Sequence, residues 1–270
     1  MWKKIRKNRL AMVGLLVLAV LSILAVCAPL FATHDPAAIV ADAPLPPSAQ
    51  HFFGTDDLGR DVWSRTLFGA RISLTVGFVA VGIAVLIGMV LGAIAGYYRG
   101  WLDNVVMRLT DIMLSFPTIF LLLAIQSVLT PNIYNVMIVI GLTSWMGVCR
   151  LVRSEFLSLR EREFVEAARA IGASDGAIIF RHILPNAIAP VVVAATLGVA
   201  SAILVESALS FFGLGVQPPL ASWGSMLMDA QAFMFDAPWM VLIPGLLILI
   251  TVLSFYFVGE GLREALNPKE

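Results

Sequence analysis

The most prominent feature of the sequence is a series of long uncharged stretches rich in apolar residues, separated by segments that carry charge. An α-helix rises about 1.5 Å per residue, so about 20 apolar residues cross the roughly 30 Å hydrocarbon layer of a membrane. Backbone polar groups find no partner in lipid, and each stretch is therefore predicted to be helical. The stretches are residues 10–34, 72–96, 112–149, 183–205 and 237–259.

The third stretch predicts two spans, because it is too long for one helix and Thr130-Pro131-Asn132 is a turn signal at its middle. A further uncharged segment, residues 207–228, contains several glycines and the pair Pro218-Pro219. It cannot hold a continuous helix and is predicted to be a loop or re-entrant segment packed on the bundle. The pattern therefore predicts an all-α integral membrane protein with six transmembrane helices.

Composition supports this prediction. The 270 residues are 59% hydrophobic and 13% charged, with a mean hydropathy of +0.90, whereas soluble proteins average about 45–50% apolar and about 25% charged. An ordinary soluble enzyme and a disordered chain are both excluded. A net charge of zero gives no support for nucleic-acid binding.

The distribution of basic residues predicts the orientation. Six spans place the N-terminus, the loops 97–111 and 150–182 and the C-terminal tail on one side. That side holds all of the 18 Lys and Arg residues except Arg60, Arg65 and Arg71. Both termini are therefore expected to be cytoplasmic.

The chain is divided into an N-terminal part and a core. Residues 1–71 are predicted to form an anchor helix followed by an outer, periplasmic loop, and residues 72–270 a five-helix core with a cytoplasmic loop at 150–186. The outer loop begins Pro-rich and irregular. Its second half predicts a short amphipathic helix at the outer interface, with Thr55 as cap and Asp56 and Asp57 in the first turn.

A metal site built from His51, Asp56, Asp57 and Asp61 is the alternative interpretation of this loop. A helix start explains the aspartates without a ligand, and no metal is predicted. Small residues also recur every four positions in two spans, where they favour close helix packing. They serve either internal packing or a subunit interface. The two stripes are Ala84, Gly88, Gly92 and Gly96, and Ala194, Gly198 and Ala202.

The inner loop predicts two short helices joined by a glycine elbow. Phe164, Ala167, Ala168 and Ile171 fall on one small apolar face, and Gly172 ends the helix. Ser174 or Asp175 caps a second helix that runs toward Pro185. The residues alone leave two uses open: insertion into a groove on another protein, or two helices lying on the inner leaflet.

Several segments resemble ABC-importer permeases. Glu166-Ala167-Ala168, followed by Gly172 and Leu184-Pro185, is similar to the EAA loop of that family. An isoleucine of the general pattern is replaced here by His182, which resembles the variant of the dipeptide, oligopeptide and nickel permease branch. The segments 53–61, 97–103 and 206–215 resemble the same branch, in particular its C-type peptide permeases.

The resemblance implies the architecture of a type I importer permease in the bacterial plasma (inner) membrane. Its partners would be a second homologous permease, two ABC ATPase subunits, a periplasmic or lipid-anchored binding protein, and membrane lipid. ATP and Mg would bind to the ATPase subunits and not to this chain, which contains no G-x-x-x-x-G-K-[ST] phosphate loop. The residues that would couple to the ATPase are Phe164, Glu166, Ala167, Ala168, Arg169, Gly172, His182, Leu184 and Pro185.

The expected cargo is di- or oligopeptides, with nickel as the alternative within the branch. Glu206 and Ser207 end the fifth span and are either structural or part of an outer gate or substrate contact. A secondary transporter or channel is the rival class, although the predicted spans hold no ionisable group in mid-span, where such proteins usually carry one. No catalytic residues are predicted, because the three histidines lie far apart in the chain and no H-E-x-x-H motif occurs.

Overall fold

The computed structural model describes residues 2–42 and 44–266, so the ends of the predicted domains, Met1 and residues 267–270, lie outside it. The described residues form a helical bundle whose only β-type pairing is two isolated bridges in the outer loop. In chain order the α-helices are α1 (Trp2–Ile5), α2 (Arg9–Val26), α3 (Ala28–Phe31), α4 (Val62–Tyr98), α5 (Gly100–Ser115), α6 (Thr118–Val128), α7 (Ile133–Leu142), α8 (Trp145–Leu159), α9 (Glu163–Ala170), α10 (Asp175–Ala177), α11 (Leu184–Phe211), α12 (Trp223–Asp229) and α13 (Trp239–Leu266). A π-helical turn, Ile178–Ile183, precedes α11, and a 3₁₀ turn, Gln231–Phe233, follows α12.

Five helical segments among the described residues are long and apolar enough to cross a membrane. They are α2, α4, α7 with α8, the continuous run Asp175–Phe211, and α13. Helices α5 and α6, with 16 and 11 residues, are each too short to span alone and form a sixth span only when counted together. They meet at an angle of 86°. Five of the six predicted spans are therefore confirmed, and the third corresponds to the bent pair of α5 and α6.

Proline explains the break in the third span. Pro117 precedes α6, and Phe116 before it is extended, with φ −88° and ψ 134°, as expected for a residue that a proline follows. The predicted turn at 130–132 is confirmed. Helix α6 ends at Val128, and the Asn132 side chain caps α7 by accepting a hydrogen bond from the Tyr134 N–H at 2.9 Å.

The separate amphipathic helix predicted from Thr55 is wrong. The Asp56 carboxylate accepts hydrogen bonds from the N–H groups of Leu58 (3.0 Å) and Arg60 (2.8 Å), which closes a turn instead of starting a helix. Asp61 caps the helix that follows. Helix α4 is continuous from Val62 to Tyr98 and includes the predicted second span.

This central helix passes through the predicted domain boundary. Residue 71 lies inside α4, and the division into an anchor part and a core stays a prediction. Helix α4 packs against α2, α7, α8 and α11, so the apolar core is arranged around it.

Internal packing accounts for the glycines of the first small-residue stripe. Gly88, Gly92 and Gly96 lie against α8 so closely that a Cβ at Gly92 would come within 2.5 Å of the Cys149 carbonyl oxygen. In the second stripe, a Cβ at Gly198 would lie 3.3 Å from the Val81 side chain of α4, and Ala194 and Gly198 are only half-buried. A subunit interface stays a prediction for this stripe.

The segment 207–228 is packed on the bundle without forming a continuous helix, as predicted. Helix α11 ends at Phe211, the chain turns, and α12 begins at Trp223. The Trp223 side chain is fully buried, and its Nε1–H donates to the Thr66 carbonyl at 3.2 Å.

Different segments meet at the two ends of the bundle. At the outer-loop end, Trp63 donates to the Phe31 carbonyl (2.9 Å) and Trp239 to the Thr55 carbonyl (3.1 Å). At the opposite end, Asn8 donates to Glu264 at 2.8 Å, and α4 reaches α9. Segments predicted to share a side of the membrane thus share an end of the bundle, while the cytoplasmic assignment stays a prediction.

Candidate functional site

Residues 163–185, here called the elbow segment, form a short helix and a glycine turn that lead into α11. Helix α9 ends at Ala170, and Gly172, predicted to stop it, follows the Ile171 cap with a φ of +82°, which favours glycine. The Gly172 N–H donates to the Arg169 carbonyl at 3.0 Å. Ser174 is the cap of the next helix, as one of the two predicted candidates.

The second short helix of the elbow is not separate, contrary to the prediction. Helix α10, the π-helical turn and α11 follow one another without a break, and Pro185 lies in the first turn of α11, where proline is tolerated. The elbow segment is therefore continuous with a helix that crosses the bundle.

The predicted apolar face of α9 is divided between two sides of the helix. Ala168 is buried, together with Val165, against a cluster that includes Phe156 and Ile183. Phe164, Ala167 and Ile171 instead face outward, and Ile171 is 87% exposed. The buried pair attaches α9 to the bundle, which leaves the other three as an exposed apolar stripe.

Polar contacts fix the elbow segment, and Arg160 just before it, to the end of α4. The Tyr97 hydroxyl donates to the Asp175 carboxylate at 2.6 Å. The Arg160 guanidinium donates to the Tyr97 carbonyl and lies 5.7 Å from the centre of the Tyr97 ring. Segment 97–103 is one of those that resemble the permease branch. Its sequence does not, however, predict that Tyr97 forms a hydrogen bond with Asp175.

The remaining predicted coupling residues are mostly accessible. Glu166, Arg169, Gly172 and Pro185 are exposed, and His182 and Leu184 are half-buried. Among the described residues, Arg162, Glu163 and Glu166 form no ion pair within the chain. The exposed surface of the elbow therefore combines an apolar stripe with unpaired charges.

Glu206 lies in a buried polar network near the outer-loop end. It has no exposed surface, and its carboxylate accepts hydrogen bonds from Ser210 (2.7 Å) and Ser73 (3.3 Å). The Trp223 N–H donates to the same Ser73 hydroxyl at 3.3 Å. Ser207 is also buried, against Gly224. This geometry favours the structural alternative for Glu206 and Ser207, and a gate role stays a prediction.

The outer loop contains two separate charged clusters, and the four residues weighed as a metal site are divided between them. In the first, Arg60 pairs with Asp56 (2.7 Å) and Asp229 (3.2 Å), and Arg65 pairs with Asp229 (3.0 Å). Burial raises the pKa of Asp229, although Arg65 and Arg60 act in the opposite direction. Burial likewise raises the pKa of Asp57.

The second cluster joins His51 and Asp61 to His34, a residue that the sequence pattern did not connect with them. The two histidine rings lie 5.0 Å apart, and His51 Nδ1 is 3.0 Å from Asp61 Oδ1. Burial alone would raise the pKa of Asp61, but hydrogen bonds from Ser64, His51 and Thr33 bring it below its ordinary value.

Solved structures define the class of fold. A chain of the MetNI methionine ABC transporter in an inward-facing conformation matches with a TM-score of 0.62 at 21% identity, covering 75% of this chain and 96% of that one. A chain of an amino acid ABC transporter with histidines gives a TM-score of 0.54 at 17% identity, covering 72% and 90%. The fold is that of an ABC-importer permease.

Sequence relatives identify the family. The profile described as binding-protein-dependent transport system inner membrane component matches residues 88–270, and that of the N-terminal TM domain of oligopeptide transport permease C matches residues 1–47. The chain belongs to this family of binding-protein-dependent transport components. It is therefore a multi-pass membrane subunit of an ABC importer and not an enzyme.

Three curated relatives match nearly the whole chain. The dipeptide transport system permease protein DppC of Alkalihalophilus pseudofirmus is 49% identical over 99% of this chain and 88% of its own length. The oligopeptide transport system permease protein OppC of Bacillus subtilis is 40% identical over 100% and 90%. The glutathione transport system permease protein GsiD of Escherichia coli O157:H7 is 44% identical over 99% and 89%.

Proposed function

We propose that this chain is the permease subunit of an ATP-driven importer of di- and oligopeptides. The names of the three relatives support this proposal, because dipeptides, oligopeptides and glutathione are all peptides. Nickel, the alternative cargo, appears in none of these three names.

The complete importer contains a second homologous permease, two ABC ATPase subunits that bind ATP and Mg, and a periplasmic or lipid-anchored binding protein. The chain lies in the bacterial plasma (inner) membrane with both termini in the cytoplasm. The excess of Lys and Arg at the elbow end supports this orientation.

The elbow segment is the surface on which an ATPase subunit docks. The observation that carries this proposal is the exposed stripe of Phe164, Ala167 and Ile171 on a helix whose opposite side is buried. An amphipathic helix with such a stripe fits an apolar groove on a partner. The unpaired charges of Glu163 and Glu166 supply polar contacts beside it.

Coupling follows from how the docking surface is attached. The segment continues into α11 and is hydrogen-bonded to α4 through Tyr97 and Asp175. A partner that binds one position of α9 more tightly shifts the bundle by its differential affinity. Moving the population from 1:99 to 99:1 needs about 5.5 kcal/mol, which closure of ATP-bound partners can supply.

The test is ATP-dependent uptake of a labelled dipeptide by proteoliposomes that contain the complete importer. Ala167→Asp introduces a charge into the exposed stripe without filling the core, because Ala167 is exposed. We expect uptake and co-purification of the ATPase subunits to be lost while insertion is normal. The matched control is Ala49→Asp, an exposed alanine of the outer loop.

Three results would contradict the proposal. Normal uptake by Ala167→Asp would remove the docking role, and equal losses in both variants would show that the effect is not specific to the elbow. Uptake by wild type without ATP would instead support a secondary transporter.

A further inference from the structure

We propose that His34, His51 and Asp61 form a binding site for one divalent transition-metal ion of the Zn²⁺ type at the outer-loop end of the protein. One ligand atom from each residue lies within 4.8 Å of the other two. His51 Nδ1 and His34 Nδ1 are 3.0 Å and 3.8 Å from Asp61 Oδ1. Ligands of a tetrahedral Zn²⁺ at about 2.0–2.2 Å are about 3.3 Å apart, so these residues need only small shifts to bind it.

The donor set matches this class of ion. Two imidazole nitrogens and one carboxylate oxygen suit Zn²⁺ and its neighbours in the first transition row, whereas Ca²⁺ and Mg²⁺ prefer sites made of oxygen alone. Three protein ligands also leave a fourth position for water.

Hydrogen bonds orient the Asp61 carboxylate as metal sites require. Its Oδ2 accepts hydrogen bonds from the Ser64 N–H (2.9 Å), the Ser64 hydroxyl (2.7 Å) and the Thr33 hydroxyl (3.2 Å). The other oxygen, Oδ1, faces the two imidazole rings. Such outer contacts fix the ligand and are a regular feature of metal sites.

The charge balance distinguishes this cluster from the neighbouring acidic one. Asp61 is fully buried, and among the described residues its ion-pair partners are the two histidines alone. Asp56 and Asp229 are instead paired with Arg60 and Arg65. A buried carboxylate without a guanidinium or ammonium partner gains most from a bound cation.

The site is accessible and joins distant segments. His34 keeps 32% of its side chain exposed and lines an open groove of about 540 Å³. It follows the first span, His51 belongs to the outer loop, and Asp61 caps α4. A bound ion would hold the anchor helix and the outer loop to the central helix, independently of what the importer carries.

The experiment measures metal binding by the full-length chain without a polyhistidine tag, in lipid nanodiscs. Zn²⁺ is titrated by calorimetry, and Co²⁺ serves as a spectroscopic probe of tetrahedral coordination. We expect one equivalent of Zn²⁺ to bind and to raise the unfolding temperature. His34→Ala, which changes a partly exposed side chain, should weaken binding by at least about 10-fold.

Two control variants separate this site from other binding. His182→Ala removes the histidine of the elbow segment, and Asp57→Asn changes the neighbouring acidic cluster; both should bind Zn²⁺ like wild type. The proposal is overturned if wild type shows no saturable Zn²⁺ binding, if His34→Ala binds equally well, or if the controls lose binding to the same extent.

Discussion

Substitution of Gly172 tests whether the geometry of the elbow couples the chain to its ATPase. The φ of Gly172 is +82°, and a Cβ added there would meet no atom within 4 Å. Alanine therefore costs only backbone strain, about 1–2 kcal/mol for the left-handed conformation. Proline, with φ near −65°, cannot adopt this conformation and also removes the hydrogen bond to the Arg169 carbonyl, at a cost of about 3 kcal/mol or more.

These energies predict a graded loss of transport. A strain of 1–2 kcal/mol changes the population of the docked elbow by a factor of about 5–30. ATP-dependent dipeptide uptake in proteoliposomes should fall by about that factor for Gly172→Ala and be lost for Gly172→Pro. Because the strain is local, the amount of each variant in the membrane, measured by immunoblot, should match wild type.

Gly100 provides a matched control at the same end of the bundle. Its φ is +63°, and a Cβ there also meets nothing within 4 Å, so Gly100→Ala carries similar strain outside the elbow. Uptake by Gly100→Ala should exceed uptake by Gly172→Ala. Equal losses in both, or normal uptake by Gly172→Pro, would refute the reasoning.

Three further predictions concern packing and charge. Gly92→Ala should lower stability by about 1–3 kcal/mol, because the new Cβ meets the backbone of α8. The control Gly82→Ala should cost nothing, because no atom lies within 4 Å of its new Cβ. Equal melting temperatures of the two variants would contradict the close contact between Gly92 and α8. Val165→Ala removes two buried methylene equivalents and should lower the stability of the elbow by about 1.6 kcal/mol. The rate of proteolysis at the elbow should therefore increase about 10-fold or more, and an unchanged rate would contradict this prediction. Because burial raises the pKa of Asp229 from 3.8, the folded state binds the proton more tightly, and stability from this group falls as pH rises above that value. The melting temperature of Asp229→Asn relative to wild type should therefore rise between about pH 4 and about pH 7, and a fall would show that the arginines dominate.

The elbow shows how far sequence patterns predict a site. The glycine turn at Gly172 and the cap at Ser174 are local features, and both are where the pattern predicts them. The apolar face was predicted from the helical spacing of its residues alone. That spacing does not show which of these residues the rest of the bundle covers. Val165 and Ala168 are buried because the end of α4 and the start of α11 lie on that side.

In the outer loop, by contrast, local sequence patterns did not predict which charged residues come together. Asp56 and Asp57 fit the pattern of a helix start, but in the structure Asp56 pairs with Arg65, which also pairs with Asp229, a residue distant in the chain. Arg71 ended the uncharged run at its N-terminal side and so concealed the true beginning of α4 at Val62.

The sequence by itself determined the membrane-spanning helices and the elbow, because apolar length, proline and glycine act on the backbone within a few residues. Tertiary structure alone decided the 37-residue length of α4, the buried side of α9 and the meeting of His34, His51 and Asp61. Each of these depends on which distant side chain neutralises a charge or covers an apolar surface, and that information is absent from local spacing.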